Sequence, residues 1–189
     1  MRSMKFLDLP VQVAPVLGAW WRPSLEFVDE LTQFLEGKRV LEIFAGNGYL
    51  AALLAARGID IVATSRRSSH DCHEHGFYYP VEEMEAPAAV ASLDGGRDVL
   101  LVCWPVVTEA VLVAAAIWGF DRDIVFIGEM TDYAKGHFAG CASDAFFASI
   151  EVTHRFETYL GNMQEHAVIC RLKQNQVQKV LPLWEFPHR

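Results

Sequence analysis

The stretch Val40–Arg67, VLEIFAGNGYLAALLAARGIDIVATSRR, decides the reading of the fold. With Arg39 it opens on a strand, Arg39–Phe44, apolar on both sides of the alternation, as in a strand covered on both faces of a sheet. Gly46 and Gly48 flank a turn where the backbone must come close to a ligand and then enter a helix. Glycine removes the Cβ that would block this approach. Tyr49–Arg57 is a run of strong helix formers, and Gly58 is its C-terminal stop. Ile59–Thr64 is a second strand. Strand, glycine turn, helix and strand form the opening of a nucleotide-type binding site. The carboxylate expected where the second strand ends is missing: Ser65 stands there, followed by Arg66 and Arg67.

Upstream, residues 1–23 are irregular and rich in Pro and Trp. Ser24 caps a helix through about Leu35, with an apolar stripe at helical spacing, and Gly37 stops it. Downstream, residues 66–79 are polar and histidine-rich, with at most a short helix. Val81–Met84 is a short third strand, and Pro87 opens the next helix, where it loses no hydrogen bond. Asp98–Trp104 is a fourth strand, followed by a helix capped by Thr108 and ending near Gly119. Asp123–Ile127 is a fifth. The long loop Gly128–Gly140 can close over a site, and Ser143 begins a short helix. Glu151–Thr158 and His166–Lys173 pair through a turn around Gly161-Asn162.

Strands alternating with helices imply a mostly parallel sheet covered on both faces. The expected fold is an α/β three-layer sandwich with a seven-stranded sheet and one antiparallel strand. No linker interrupts residues 38–173, so we read 1–189 as a single domain. Residues 1–37 form an N-terminal arm and helix, 38–173 the sheet core, and 174–189 a tail. The tail ends in LPLWEFPHR, whose aromatic residues pack on the domain or on a partner and allow a homodimer.

The chain has 189 residues, 52% hydrophobic, with a formal charge of -8 from 16 basic and 24 acidic residues. This excludes a disordered chain and argues against non-specific nucleic-acid binding, which needs a basic face. Cys72, Cys103, Cys141 and Cys170 show no framework spacing and read as reduced thiols. Asp8 and Pro10 interrupt the N-terminal apolar stretch, so it does not read as a signal peptide. The apolar region Val99–Phe120 is broken by Pro105, Thr108, Glu109 and Gly119 and suits a strand and helix better than a membrane span. The expected location is cytoplasmic.

Glu42-Ile43-Phe44-Ala45-Gly46-Asn47-Gly48, with the surrounding strand order, resembles the class I S-adenosylmethionine-dependent methyltransferases over about residues 38–173. Their first strand ends in E/D-x-G-x-G-x-G, and Phe44 stands at the first glycine, as in the FAG-x-G form of some nucleic-acid methyltransferases. The resemblance implies a bound S-adenosylmethionine. Glu42, Phe44, Ala45, Gly46, Asn47, Gly48 and Tyr49 would form its turn. Thr64, Ser65 and Arg66 would lie at the ribose, Met84 and Glu85 at the adenine, and Cys103 beside the reacting end. A neutral hydroxyl at Ser65 does not replace a bidentate, charge-assisted contact.

Cys103-Trp104-Pro105-Val106 lacks both the D/N/S-P-P-Y/F/W pattern of amino-methylating nucleic-acid enzymes and the Pro-Cys order of cytosine-C5 enzymes. A small molecule or a protein side chain is therefore the expected acceptor. Trp104 is a candidate stacking wall, or core. Glu129, with Tyr133 beyond it, is a candidate on the substrate side. His70 is a candidate general base, since imidazole titrates near neutral pH. The run His70, Cys72, His73, His75 has metal-ligand residue types but too cramped a spacing for a tetrahedral site, so no metal is expected. Trp20-Trp21-Arg22 either lids the pocket or anchors the N-terminal arm by aromatic burial. No nucleophile–base pair of the hydrolase kind can be assembled. Two further readings stay open. One is a methyltransferase-fold protein that has lost catalysis and binds a partner. The other is an NADP-binding oxidoreductase, suited by Arg66 and Arg67 but not by the glycine spacing or the lack of a second domain.

Overall fold

The computed structural model describes residues 4–9, 18–66 and 73–173. Helix α1 (Leu25–Leu35) precedes strand β1 (Arg39–Ile43), α2 (Tyr49–Ala55) and β2 (Asp60–Ser65). Then follow β3 (Val81–Glu83), α3 (Ala86–Leu93), β4 (Val99–Cys103), α4 (Ala110–Trp118) and β5 (Ile124–Glu129). Helix α5 (Asp144–Ser149) leads into β6 (Ile150–Arg155) and β7 (Glu165–Leu172).

The seven strands form one sheet in the order β3-β2-β1-β4-β5-β7-β6. All neighbours are parallel except at β7, which is antiparallel to both β5 and β6. The expected seven-stranded sheet with one antiparallel strand is present.

Alternation along the strands divides the core. Leu41 and Ile43 of β1, Leu100 and Val102 of β4 and Phe126 of β5 pack with Val90 of α3, Trp118 of α4 and Phe146 of α5. The intervening Val40, Leu101 and Val125 pack on the other face with Phe27 and Leu31 of α1 and Leu54 of α2. This makes three layers.

Serine side chains set the two capped helices. Ser24 Oγ accepts from Phe27 N at 3.2 Å, and Ser143 Oγ accepts from Phe146 N at 3.3 Å. The cap of α4 falls one residue later than expected, at Glu109. The Thr108 hydroxyl still accepts from Ala110 N at 3.2 Å. Strand β5 extends through Glu129, beyond the expected Ile127, because Gly128 pairs with His166 and Glu129 with Glu165 of β7. In the loop after β5, a single 3-10 turn forms at Tyr133–Lys135. Among the described residues no helix is long and apolar enough to cross a membrane. The C-terminal LPLWEFPHR lies outside the described residues.

Candidate functional site

Glu42 is the last but one residue of β1, on the face of the sheet that carries α1 and α2. Its neighbour across the ladder is Ala63 of β2 on one side and Leu101 of β4 on the other. The chain then breaks from the ladder. Phe44 takes φ 59°, Gly46 φ 56° and Gly48 φ 76°, three left-handed residues in five. Ala45 N donates to Thr64 O at 3.0 Å and Gly48 N to Ala45 O at 2.8 Å, which folds the turn back over β2.

The two glycines of the turn serve different ends. A Cβ at Gly46 would meet nothing within 4 Å, and Gly46 lines the cavity described next. A Cβ at Gly48 would lie 2.9 Å from Val81 Cγ2 and 3.0 Å from Tyr79 Cβ. Gly48 is thus needed to seat the turn against the segment entering β3.

The turn, the end of β4 and the N-terminal segment enclose a cavity of about 90 Å³. Ala19, Trp20, Trp21, Glu42, Phe44, Ala45, Gly46, Asn47, Tyr49, Leu50, Cys103 and Trp104 line it. Among the described residues four non-glycine residues have positive φ, and two of them, Phe44 and Trp104 (φ 46°), line this space. Each such residue costs about 1–3 kcal/mol, and such strain gathers where a site over-determines the backbone.

Both indole positions of the Trp20-Trp21 pair are accounted for. Trp21 packs edge-on against Phe27 at 6.1 Å and lies 6.1 Å from Tyr159, so it anchors the arm and walls the cavity together. Trp20 lines the cavity while 79% exposed.

Glu42 decides the electrostatics. It is 1% exposed, and its Oε2 has no hydrogen-bond partner among the described residues. Burial pushes its carboxyl up to about 8 from an ordinary 4.5. At neutral pH most molecules therefore hold Glu42 protonated. Burial holds the Cys103 thiol well above its usual range, so it is no thiolate nucleophile. Trp104 Nε1 is also buried without an acceptor. The cavity thus presents an acid lacking a donor and an N–H lacking an acceptor. Each such orphan costs about 1–3 kcal/mol until something pairs with it.

The other sequence candidates fall outside the enclosed space. Thr64 donates its hydroxyl to Glu42 O at 3.1 Å. Ser65 is the last residue of β2, opposite Glu83 of β3, and is 5% exposed. Arg66 Nε pairs with Glu85 Oε1 at 3.4 Å, with both side chains largely exposed. Met84 packs on the α3–α4 side of the core. These residues form a ledge on the carboxyl ends of β2 and β3, beside the cavity. Glu129 sits in the β5–β7 ladder and does not line the cavity. Tyr133 donates to Asp144 and lines a separate cavity.

His70 and Cys72 lie outside the described residues. His73, from the same run, reaches the turn: its Nε2 lies 3.1 Å from Gly46 O and must donate, since a carbonyl only accepts. Its ring stacks on Phe77 at 5.1 Å. Nothing in the run separates His73 from its neighbours. Its place follows from Phe77, which is tied to the N-terminal segment by Leu7 N to Phe77 O at 2.7 Å. Among the described residues no group of three His, Cys, Asp or Glu side chains could hold a metal ion. Cys103, Cys141 and Cys170 are free thiols.

Solved structures share this fold. One of MtNAS in complex with MTA and tNA superposes with a TM-score of 0.53 over 79% of this chain and 58% of that one, at 14% identity. A mutant of MtNAS in complex with S-adenosylmethionine gives 0.52 over 78% and 62%, at 12% identity. Mitomycin 7-O-methyltransferase MmcR gives 0.51 over 79% and 54%, at 16% identity. The chain has the class I methyltransferase fold. It spans less than two thirds of the length of these three proteins. No family model matches it, and no curated protein matches it in sequence. In a methyltransferase fold the turn after β1 and the ends of β1 and β4 are where an open α/β sheet takes its ligand, and the cavity lies there.

Proposed function

We propose that this chain binds S-adenosylmethionine at the carboxyl ends of β1, β2 and β4 and transfers its methyl group to a small molecule or a protein side chain. The observation that carries the reading is Glu42, a fully buried acid without a donor, set in the cavity beneath the glycine turn. An aliphatic ammonium supplies the missing donors and the missing charge, so the amino-acid end of the cofactor fits here. The volume agrees, since about 90 Å³ admits such an end and not a nucleoside. The nucleoside end then falls to the ledge of Ser65, Arg66, Met84 and Glu85. Gly46, whose Cβ position is open, lets the backbone approach the ligand.

Bound there, the cofactor supplies an already activated methyl on a sulfonium, so the protein need contribute alignment rather than covalent chemistry. Trp104 and Trp21 exclude water and wall the approach. The Trp104 indole N–H is free to hold an oxygen of the cofactor or the acceptor. Glu42 gives up its proton as the ammonium arrives.

The test is calorimetric titration with S-adenosylmethionine and S-adenosylhomocysteine, near neutral pH, in two buffers of different ionisation heat. The expected result is micromolar binding with release of close to one proton per site, because Glu42 is protonated when free and ionised when paired. No heat with either ligand up to millimolar, on folded protein, overturns the reading. A second reading, binding without catalysis, is favoured by Ser65 and by the Arg66–Glu85 pair at the ribose ledge, where the family places an acid. It is distinguished by binding that persists while no methyl is lost from the cofactor in any acceptor screen.

A further inference from the structure

A second set of cavities lies at the far edge of the sheet. One, of about 310 Å³, is floored by Phe147, Ile150 and Val152; its neighbour, of about 400 Å³, is bounded by Met163 and Asn162. Both are lined by Arg155 of β6 and His166 of β7, which stand between them. The first is the size of a small-molecule site with an apolar floor and a few polar groups.

The carboxylates around them already have donors. Asp132 pairs with Lys135 Nζ at 3.0 Å. Asp144 accepts from the Thr131 hydroxyl at 3.0 Å and from the Tyr133 hydroxyl. Glu165 accepts from Asn162 Nδ2 at 2.8 Å. The Arg155 guanidinium and the His166 ring have no acceptor among the described residues. What is missing at this place is an acceptor, and a ligand must bring it.

We propose that Arg155 and His166 hold an organic anion, a carboxylate or phosphate on an apolar body. Resting on the methyl-transfer reading, this is the anionic end of the acceptor substrate. Position supports the link. His166 stands opposite Gly128 in the β5–β7 ladder, and a Cβ on Gly128 would lie 3.7 Å from Trp104 Cα. His166 is therefore about two strand spacings, about 10 Å, from the end of β4. Trp104 packs against the cores on both faces of the sheet and lines the Glu42 cavity. The surroundings agree in sign. Burial first, then the charges of Arg155, Lys135 and His137, hold the His166 ring below its ordinary range, and Asp132 opposes them. A bound anion reverses that push. With a chain charge of -8, long-range attraction does not explain an anion here, so local contacts must.

The experiment titrates the full chain with benzoate and with phenyl phosphate, following the His166 ring by NMR. Benzyl alcohol and benzylamine serve as neutral and cationic controls. The expected result is saturable millimolar binding of at least one anion, with the His166 midpoint raised and no response to the controls. The tighter of the two anions identifies the group. Arg155→Gln, at an exposed edge position, weakens that binding about tenfold, the loss of one charge-assisted contact. The same variant leaves S-adenosylhomocysteine binding unchanged by calorimetry. Absence of any His166 response to both anions overturns the proposal. So does equal binding of a control, or unchanged anion affinity in the folded variant. Failure of S-adenosylhomocysteine to bind wild type, with the anion response intact, sinks the methyl-transfer reading and leaves the anion cleft standing.

Discussion

Replacing Glu42 by Gln should separate stability from binding at one atom. Glu42 is 1% exposed, and its carboxyl lies at about 8 in the folded chain against 4.5 ordinarily. Below about pH 4.5 both folded and unfolded chains carry the proton, so folding meets no penalty there. Above about pH 8 both have lost it, and the penalty is complete. Between these values folding takes up one proton, and stability falls by about 1.4 kcal/mol for each pH unit gained. From about pH 5 to about pH 7 the wild-type chain thus loses roughly 3 kcal/mol that Glu42→Gln keeps. Gln has the same shape and does not ionise, so the two proteins differ chiefly in this slope. Urea unfolding of both at a series of pH values measures it. Parallel stability profiles would refute the burial argument. The same variant should lose S-adenosylmethionine affinity and the proton release together, because the ammonium loses its counter-charge.

Three other substitutions test separate parts of the structure. Gly48→Ala places a Cβ against Val81 and Tyr79 at φ 76° and should cost about 1–3 kcal/mol, read as a lower urea midpoint. Ser143→Ala removes the cap on Phe146 N and the bond from Ser143 Oγ to Glu109 Oε2 at 3.0 Å. It should lower stability by about 1 kcal/mol, or the midpoint of thermal unfolding by about 2–4 °C. Ser65→Asp returns a carboxylate to the end of β2. It should tighten S-adenosylmethionine binding about tenfold by calorimetry, while the buried charge lowers stability. Unchanged affinity would place the ribose away from Ser65.

Most of the fold was legible because its signals are local. The doubly apolar β1 and β4, the glycine stop after α1 and the serine caps at Ser24 and Ser143 each depend on a few neighbouring residues. The end of β5 depends on a partner some forty residues later in the chain, so the local pattern ends at Ile127 while the strand runs to Glu129. The site divides the same way. Glu42 and Gly46 announce themselves by their place at the end of a strand, and both line the cavity. That Glu42 is without a donor follows from packing across three layers and is not written in its neighbours. His73 rather than another histidine meets the turn because Phe77 is held by the N-terminal segment, a contact about seventy residues apart in sequence. Arg155 and His166 belong to adjacent antiparallel strands, and no spacing rule brings them together beforehand.

The position of β7 has a consequence for synthesis. It is the last described strand in the chain, yet it sits inside the sheet, between β5 and β6. Until the ribosome has delivered residues through Leu172, β5 (IVFIGE) shows one bare row of backbone donors and acceptors, and β6 has nothing to join. A nascent chain halted before that point carries an apolar, unclosed edge of the kind that recruits other chains. Closure of the sheet waits for β7, which runs against the direction of its neighbours and satisfies both.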